Sequence, residues 1–157
     1  MVEIGSYQGQ SMEIFAKTGK LRTIICVDPW KPGYDSNDIA SSSDMNAVEC
    51  EFDRRRQQFD KSDVTVLKHK GTIDTFINSD EFKKIYGNID FVYIDACHTY
   101  DAVKHDIEMC QIHLKPAIAI CGHDYVPGWS NVMKAVDAKL GKPDRTFSDG
   151  SYAKLMV

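Results

Sequence analysis

The order of the apolar runs constrains this chain more than any other feature. Five of them, VEI (2–4), RTIICVD (22–28), VTVLKHK (64–70), IDFVYID (89–95) and AIAICGH (117–123), have the length and composition of buried strands. Helical spacing follows each in turn. It places Met12, Phe15 and Ala16 on one face; Met45, Val48, Phe52 and Phe59 on a second; Ile73, Phe76 and Ile77 on a third. Val103, Ile107, Cys110 and Leu114 form a fourth stripe, and Trp129, Val132, Met133, Val136 and Leu140 a fifth. Such alternation implies right-handed crossovers and a parallel sheet covered on both faces. The ending breaks the rhythm. DRTFSDGSYAKLMV holds two β-rich runs joined by SDGS, and Asp149-Gly150 signals a hairpin. The expected fold is one doubly wound α/β domain over 1–157, its sheet finished by an antiparallel hairpin.

In an open α/β sheet, ligands bind beyond the carboxyl ends of the strands. Those ends read Gly5-Ser6-Tyr7, Asp28-Pro29-Trp30, Lys70-Gly71-Thr72, Asp95-Ala96-Cys97-His98 and Gly122-His123-Asp124-Tyr125. Polar and acidic groups therefore gather at one sheet edge. The first turn, Gly5 to Gly9, runs from a strand into a helix N-terminus, where free backbone N–H groups can face a ligand. Asp28 can accept from both hydroxyls of a ribose, or simply close a turn with Pro29. Trp30 is placed to cover an adenine face. A dinucleotide fold wants G-x-G-x-x-G; here Tyr7 stands at the second glycine and no third follows. Glu3, just before the turn, repels a pyrophosphate but suits a cationic ligand. S-adenosylmethionine, with an ammonium, a sulfonium and a ribose, suits both carboxylates.

A net charge of −4 argues against a nucleic-acid surface, and the basic DRRRQQ segment (53–58) reads as the wet face of a helix. No apolar run reaches membrane-span length and no signal-peptide pattern opens the chain. Five cysteines, odd in number and without a CxxC pair, indicate neither a zinc knot nor a disulfide framework. A reducing, cytoplasmic setting is expected. The loop PWKPGYDSNDIASSSD (29–44) is long enough to be functional or mobile.

Four motifs in order carry a family resemblance. E-x-G-x-x-x-G-x-S (3–11) resembles the first motif of class I, Rossmann-like S-adenosylmethionine-dependent methyltransferases, and VDPW their acidic second motif. IDFVYIDACHTYDAVKHDIEMCQIHLKP, then GHDY-PGW--V--AV, is similar to a small-molecule O-methyltransferase subgroup with D-x-x-H-x-Y and G-H-D-Y motifs. The resemblance implies a seven-stranded sheet of order 3-2-1-4-5-7-6. It puts Glu3, Gly5, Ser6 and Gly9 around the methionine part of the cofactor, Asp28 on the ribose, and Lys70, Gly71 and Thr72 beside the adenine; Asp95 borders the same pocket. Asp95 and Asp124, with His123, match the places of divalent-metal ligands in metal-dependent relatives, where oxygen ligands suit Mg²⁺ and histidines favour a transition metal. His98 is the candidate general base, alongside Asp95 as a catalytic carboxylate; the alternative reading of His98 is support for a helix entry capped by Thr99. His69, His105 and His113 get bland readings, the last two as solvated. Tyr100 and Tyr125 line the acceptor pocket or pack in the core.

The implied partner is a small hydroxylated acceptor, with neither nucleic acid nor membrane. The chain begins at its first strand, where most relatives carry preceding helices. The open side is then exposed, covered by the 29–44 loop, or covered by a second copy in a homo-oligomer. Three rivals share part of the pattern: a cofactor-binding protein without turnover, a nicotinamide or nucleotide-sugar enzyme, and a hydroxylase-like branch with GHDY motifs. The missing glycines and Glu3 count against the second, and no iron triad is evident for the third.

Overall fold

The computed structural model describes residues 1–156. Seven strands form one sheet: β1 (Val2–Ile4), β2 (Thr23–Asp28), β3 (Thr65–Lys70), β4 (Phe91–Ile94), β5 (Ala119–Gly122), β6 (Arg145–Thr146) and β7 (Tyr152–Leu155). Their order is β3-β2-β1-β4-β5-β7-β6, as the resemblance implied. The first five run parallel, and β7 is antiparallel to both β5 and β6. The hairpin signal holds, with Gly150 at φ +92° in the turn.

Six helices cover the sheet: α1 (Gln10–Lys17), α2 (Met45–Arg56), α3 (Ile73–Ile77), α4 (Asp80–Ile85), α5 (Tyr100–Met109) and α6 (Ser130–Leu140). The sequence stripes are the buried faces. Met45, Val48 and Phe52 join Met12, Cys26 and Tyr93 in one core layer. Ile73, Phe76, Val103, Ile107, Val132 and Val136 pack in the other, against Val2 and Ile4. Helix α4 was not visible as a stripe; it restarts after α3 because the Ser79 hydroxyl accepts from the Phe82 N–H at 3.1 Å. Thr99 does cap α5, accepting from Ala102 N–H at 3.4 Å. The basic stretch of α2 is ion-paired, with Arg54 and Arg55 on Glu51 and Arg56 on Asp53.

Period-two alternation in β1 decides what reaches the sheet edge. Val2 and Ile4 turn to one layer, while Glu3, in register with Cys26 and Tyr93, turns to the other. Beyond Ile4 the chain must pass tightly over β4. Gly5 has φ +85°, and a Cβ there would lie 2.0 Å from the Asp95 carbonyl oxygen. Only glycine permits that approach.

Candidate active site

Two adjoining cavities open where the sequence placed the polar strand ends. The first, about 260 Å³, is mostly carbon-lined by Ile4, Val27, Met45, Ile73 and Ala102, with Asp28, Gly71 and Thr72 at its edges. The second, about 480 Å³, is polar and includes Gln10, Asp38, His98, His123 and Asp124. Gly5, Tyr7, Tyr34, Asp95 and Ala96 line both and form the seam between them.

Asp28 organises the entry. Its carboxylate accepts from Ser6 N–H (3.1 Å), Tyr7 N–H (2.9 Å) and Trp30 N–H (2.6 Å), tying β2 to the glycine turn. Burial pushes its pKa up, and those three N–H groups pull against it. A carboxylate offers about four lone-pair directions, so one remains for a ligand. The ribose and turn roles are thus compatible.

Trp30 corrects the expectation. Its φ of 44° swings the ring into the core, where it is 5% exposed and packs on Phe52 at 4.9 Å. Its indole N–H donates to the Tyr7 carbonyl at 2.9 Å, so it braces the turn and lines neither cavity. Glu3 is also displaced from its expected place, because strand alternation puts it behind the turn rather than in a cavity. There Ser6 Oγ donates to it at 2.6 Å, and its second oxygen has no hydrogen-bond partner among the described residues. Burial pushes the Glu3 carboxyl up to about 7, against the pull of the Ser11 and Ser6 hydroxyls. Gly9 lies in neither cavity lining; at φ +80° it starts α1, and a Cβ there would press on Phe52 at 2.9 Å. Lys70 turns to Glu49. Gly71 and Thr72 do line the apolar cavity, and Thr72 caps α3.

In the polar cavity, Asp95, His98 and Asp124 come together, with one polar atom of each within 4.8 Å of the others. His98 Nε2 lies 2.9 Å from Asp124, and its ring stacks on Trp129 at 4.2 Å. Burial pulls the His98 pKa down, but the bond to Asp124 and the surrounding carboxylates outweigh it, so the net direction is up. Burial also acts on Asp124, and here His98 and His123 reverse it and hold the carboxyl low. Asp95 is pushed up to about 6, by burial first, with His123 pulling down and Asp124 pushing up. His123 is a second correction: it stands outside the trio, beside Asp124 at 3.3 Å, and His98 takes the place expected of it. The donor set fits a divalent cation as two carboxylates and one imidazole.

Sequence reasoning missed Asp35 and Asp38. The 29–44 loop folds over the site and lines both cavities. Buried Asp35 accepts from the His98 backbone N–H at 3.1 Å, and its carboxylate lies 3.5 Å from His98 Nδ1; Asp38 is 3.9 Å from the same atom. Their only sequence signal was a loop rich in aspartate. The His105 side chain is 45% exposed to solvent, as expected, and pairs with Asp74 at 2.9 Å at the rim of the apolar cavity. Tyr125 bonds Asp137 at 2.7 Å and, like Tyr100, packs on the core. No helix is long and apolar enough to cross a membrane among the described residues.

The sequence matches the family described as "Methyltransferase domain" over residues 2–125. Among solved structures, the fold is similar to the apo structure of CalS11, a TDP-rhamnose 3′-O-methyltransferase of calicheamicin biosynthesis. That likeness has a TM-score of 0.57 and 13% identity, and covers 99% of this chain and 70% of the other. No curated protein gives a significant sequence match.

Proposed function

The chain belongs to the methyltransferase domain family, and from that premise we propose that it moves a methyl group from S-adenosylmethionine to a hydroxyl of a small, non-phosphorylated acceptor. The observation that carries this reading is the pair of cavities meeting at Gly5 and Asp95: one apolar with a carboxylate at its edge, one polar and bearing titratable groups. The residues fit the cofactor. An apolar slot suits a base, and Asp28 keeps a lone pair for a ribose hydroxyl. The unpartnered oxygen of Glu3 lies under the turn that would border the methionine end. Bound there, S-adenosylmethionine supplies an electrophilic methyl group.

The chain's own residues then have separable tasks. Gly5 and Ser6 shape the turn, while Gly71 and Thr72 border the base. The 29–44 loop, held by Asp35 on the His98 backbone, keeps water from the seam. Without a metal, the His98 imidazole, oriented by Asp124, is the candidate to take up the proton of an acceptor hydroxyl. A divalent cation held by Asp95, His98 and Asp124 would lower the proton affinity of that hydroxyl.

Charge narrows the acceptor. Asp38, Asp95, Asp124 and Asp149 line the polar cavity with His98 and His123, and neither lysine nor arginine is among its described lining residues. The excess of aspartates over histidines there disfavours a phosphorylated acceptor. The test is calorimetric titration with S-adenosylhomocysteine, with and without Mg²⁺, followed by labelled methyl transfer to neutral and phosphorylated sugars. Saturable binding and transfer to the neutral series are expected. Binding of NAD⁺ in place of S-adenosylhomocysteine would overturn the reading.

A further inference from the structure

The polar cavity changes character from one side to the other. Where it is sheltered, the His98 and Asp124 side chains are only 12% and 18% exposed. Where it is open, Ile14 of α1 lines the same cavity and is 66% exposed. Packing of the helix does not account for that isoleucine. Helix α1 buries Met12 and Ala16 and lays Phe15 against the core, while Glu13 pairs with Lys17 and Arg55. Ile14 stands one turn from Gln10, and both line the cavity. Ile39 is a second such residue. It is 92% exposed on the covering loop, between Asp38 and Ala40, which are both cavity-lining. Single exposed hydrophobics are ordinary on a protein surface. A branched aliphatic side chain in the wall of an acidic cavity is different, because a ligand entering that cavity can cover it and remove it from water.

We propose that the acceptor carries a neutral hydrocarbon substituent beside its methyl-accepting hydroxyl, and that Ile14 and Ile39 hold this substituent at the cavity mouth. The inference rests on the hydroxyl-transfer reading given above and narrows its acceptor to an amphipathic class. Continuity identifies the occupant. Ile14 and the Asp95–His98–Asp124 trio wall one cavity, so a molecule whose hydroxyl reaches His98 leads its remainder out over Ile14. Charge agrees with that orientation. Asp38, Asp95, Asp124 and Asp149 accept from hydroxyls and offer carbon nothing, whereas Ile14 offers carbon and no polar group. The gain from such a contact grows with the hydrocarbon surface removed from water. The isoleucines touch the substituent and not the reacting atoms, so their contact is equal in the ground and transition states. It therefore lowers KM and leaves kcat as it is.

The experiment is labelled methyl transfer from S-adenosylmethionine, by the whole chain, to matched methyl and hexyl glycosides of the same neutral sugars. The wild type should prefer the hexyl member by roughly tenfold in kcat/KM, carried by KM, the effect of taking about two methylenes out of water. Ile14→Ser combined with Ile39→Ser should cut that preference to about twofold or less, and Ile14→Leu should keep it. Ile112→Ser removes a similarly exposed isoleucine that lines neither cavity, and should leave the preference as in the wild type. Equal kcat/KM for the two glycosides, or a preference that survives the double substitution, would overturn the apolar mouth alone. Self-association that the double substitution abolishes, with no hexyl preference, would give the face to a second copy and overturn it too. No transfer to any glycoside of either series would overturn the hydroxyl-transfer reading, and the apolar mouth with it.

Discussion

Replacing Glu3 by glutamine tests whether a fully buried carboxyl sits behind the glycine turn. Its side chain is 0% exposed, accepts one bond from Ser6, and has one oxygen without a partner. Burial lifts its pKa from the ordinary 4.5 to about 7. At about 1.4 kcal/mol for each pH unit between those values, ionising it in the fold costs about 3 kcal/mol more than ionising it in the unfolded chain. The native state holds the proton across that window, so the contribution to stability is full below pH 4.5 and is lost as the pH rises through about 7. Glutamine keeps an oxygen for the Ser6 hydroxyl and removes the titration. Its amide N–H₂ takes the place of the unpartnered oxygen, at a pH-independent cost of about 1–3 kcal/mol. The assay is urea unfolding of both proteins at several values between about pH 5 and pH 8.5, followed by circular dichroism. The stability of Glu3→Gln relative to wild type should improve by about 2.5 kcal/mol across that range. Asp106 also titrates with a raised value but is present in both proteins and cancels in the difference, whereas Asp95, whose charge helps to raise Glu3, contributes its coupling to it. A difference that stays flat with pH would refute the reasoning, since it would mean that Glu3 ionises as easily in the fold as outside it.

Gly5→Ala should destabilise the protein by about 3–5 kcal/mol, because the left-handed backbone and the 2.0 Å approach to Asp95 act together; an unchanged denaturation midpoint would refute this. Asp28→Ala leaves three N–H groups without their acceptor, so stability should fall by at least about 2 kcal/mol and affinity for S-adenosylhomocysteine by tenfold or more. Normal stability with normal binding would remove Asp28 from both roles. In metal-free protein, Asp124→Asn should lower the titration midpoint of the His98 imidazole, because burial then acts with less opposition; an NMR titration showing no movement would dissolve the His98–Asp124 pair.

Why the fold was legible is clear from particular residues. The stripes of α2, α5 and α6 repeat at helical spacing and each is buried, because a helix on a sheet must hide one face. The strands β4 and β5 are short continuous apolar runs for the same reason on two faces. Helix α4 escaped notice because its six residues, DEFKKI, offer one full turn of apolar signal in Phe82 and Ile85. Trp30 was misplaced because a strand-end position gives no hint of backbone φ. The ring's direction follows from a left-handed turn that the sequence DPW does not announce.

The site was legible only as far as the sheet could place it. Residues such as Asp28, Asp95 and Asp124 follow strands directly, so the strand order alone brings them to one edge. Asp35 and Asp38 follow a loop, whose path is set by its own polar contacts rather than by a repeating apolar face. Asp35 reaches the site because its backbone N–H takes Ser41 Oγ at 3.1 Å and its carboxylate takes the N–H of Asn37 at 2.9 Å and of His98 at 3.1 Å. Asp38 accepts from Ala40 N–H at 2.9 Å and from Tyr34 hydroxyl at 2.8 Å. Of these bonds only the one to His98 leaves the loop, and it is joined by Cys97 Sγ on the Tyr34 carbonyl at 3.3 Å and by the Tyr7 and Ser43 hydroxyls, 3.0 Å apart. The loop and the histidine are therefore mutually dependent. His98 is presented to Asp124 from a backbone that Asp35 holds, and that backbone N–H, with the N–H of Asn37, satisfies the buried Asp35 carboxylate. Glycine or alanine at 35 would free both partners at once, so the covering loop and the imidazole of the polar cavity behave as one unit.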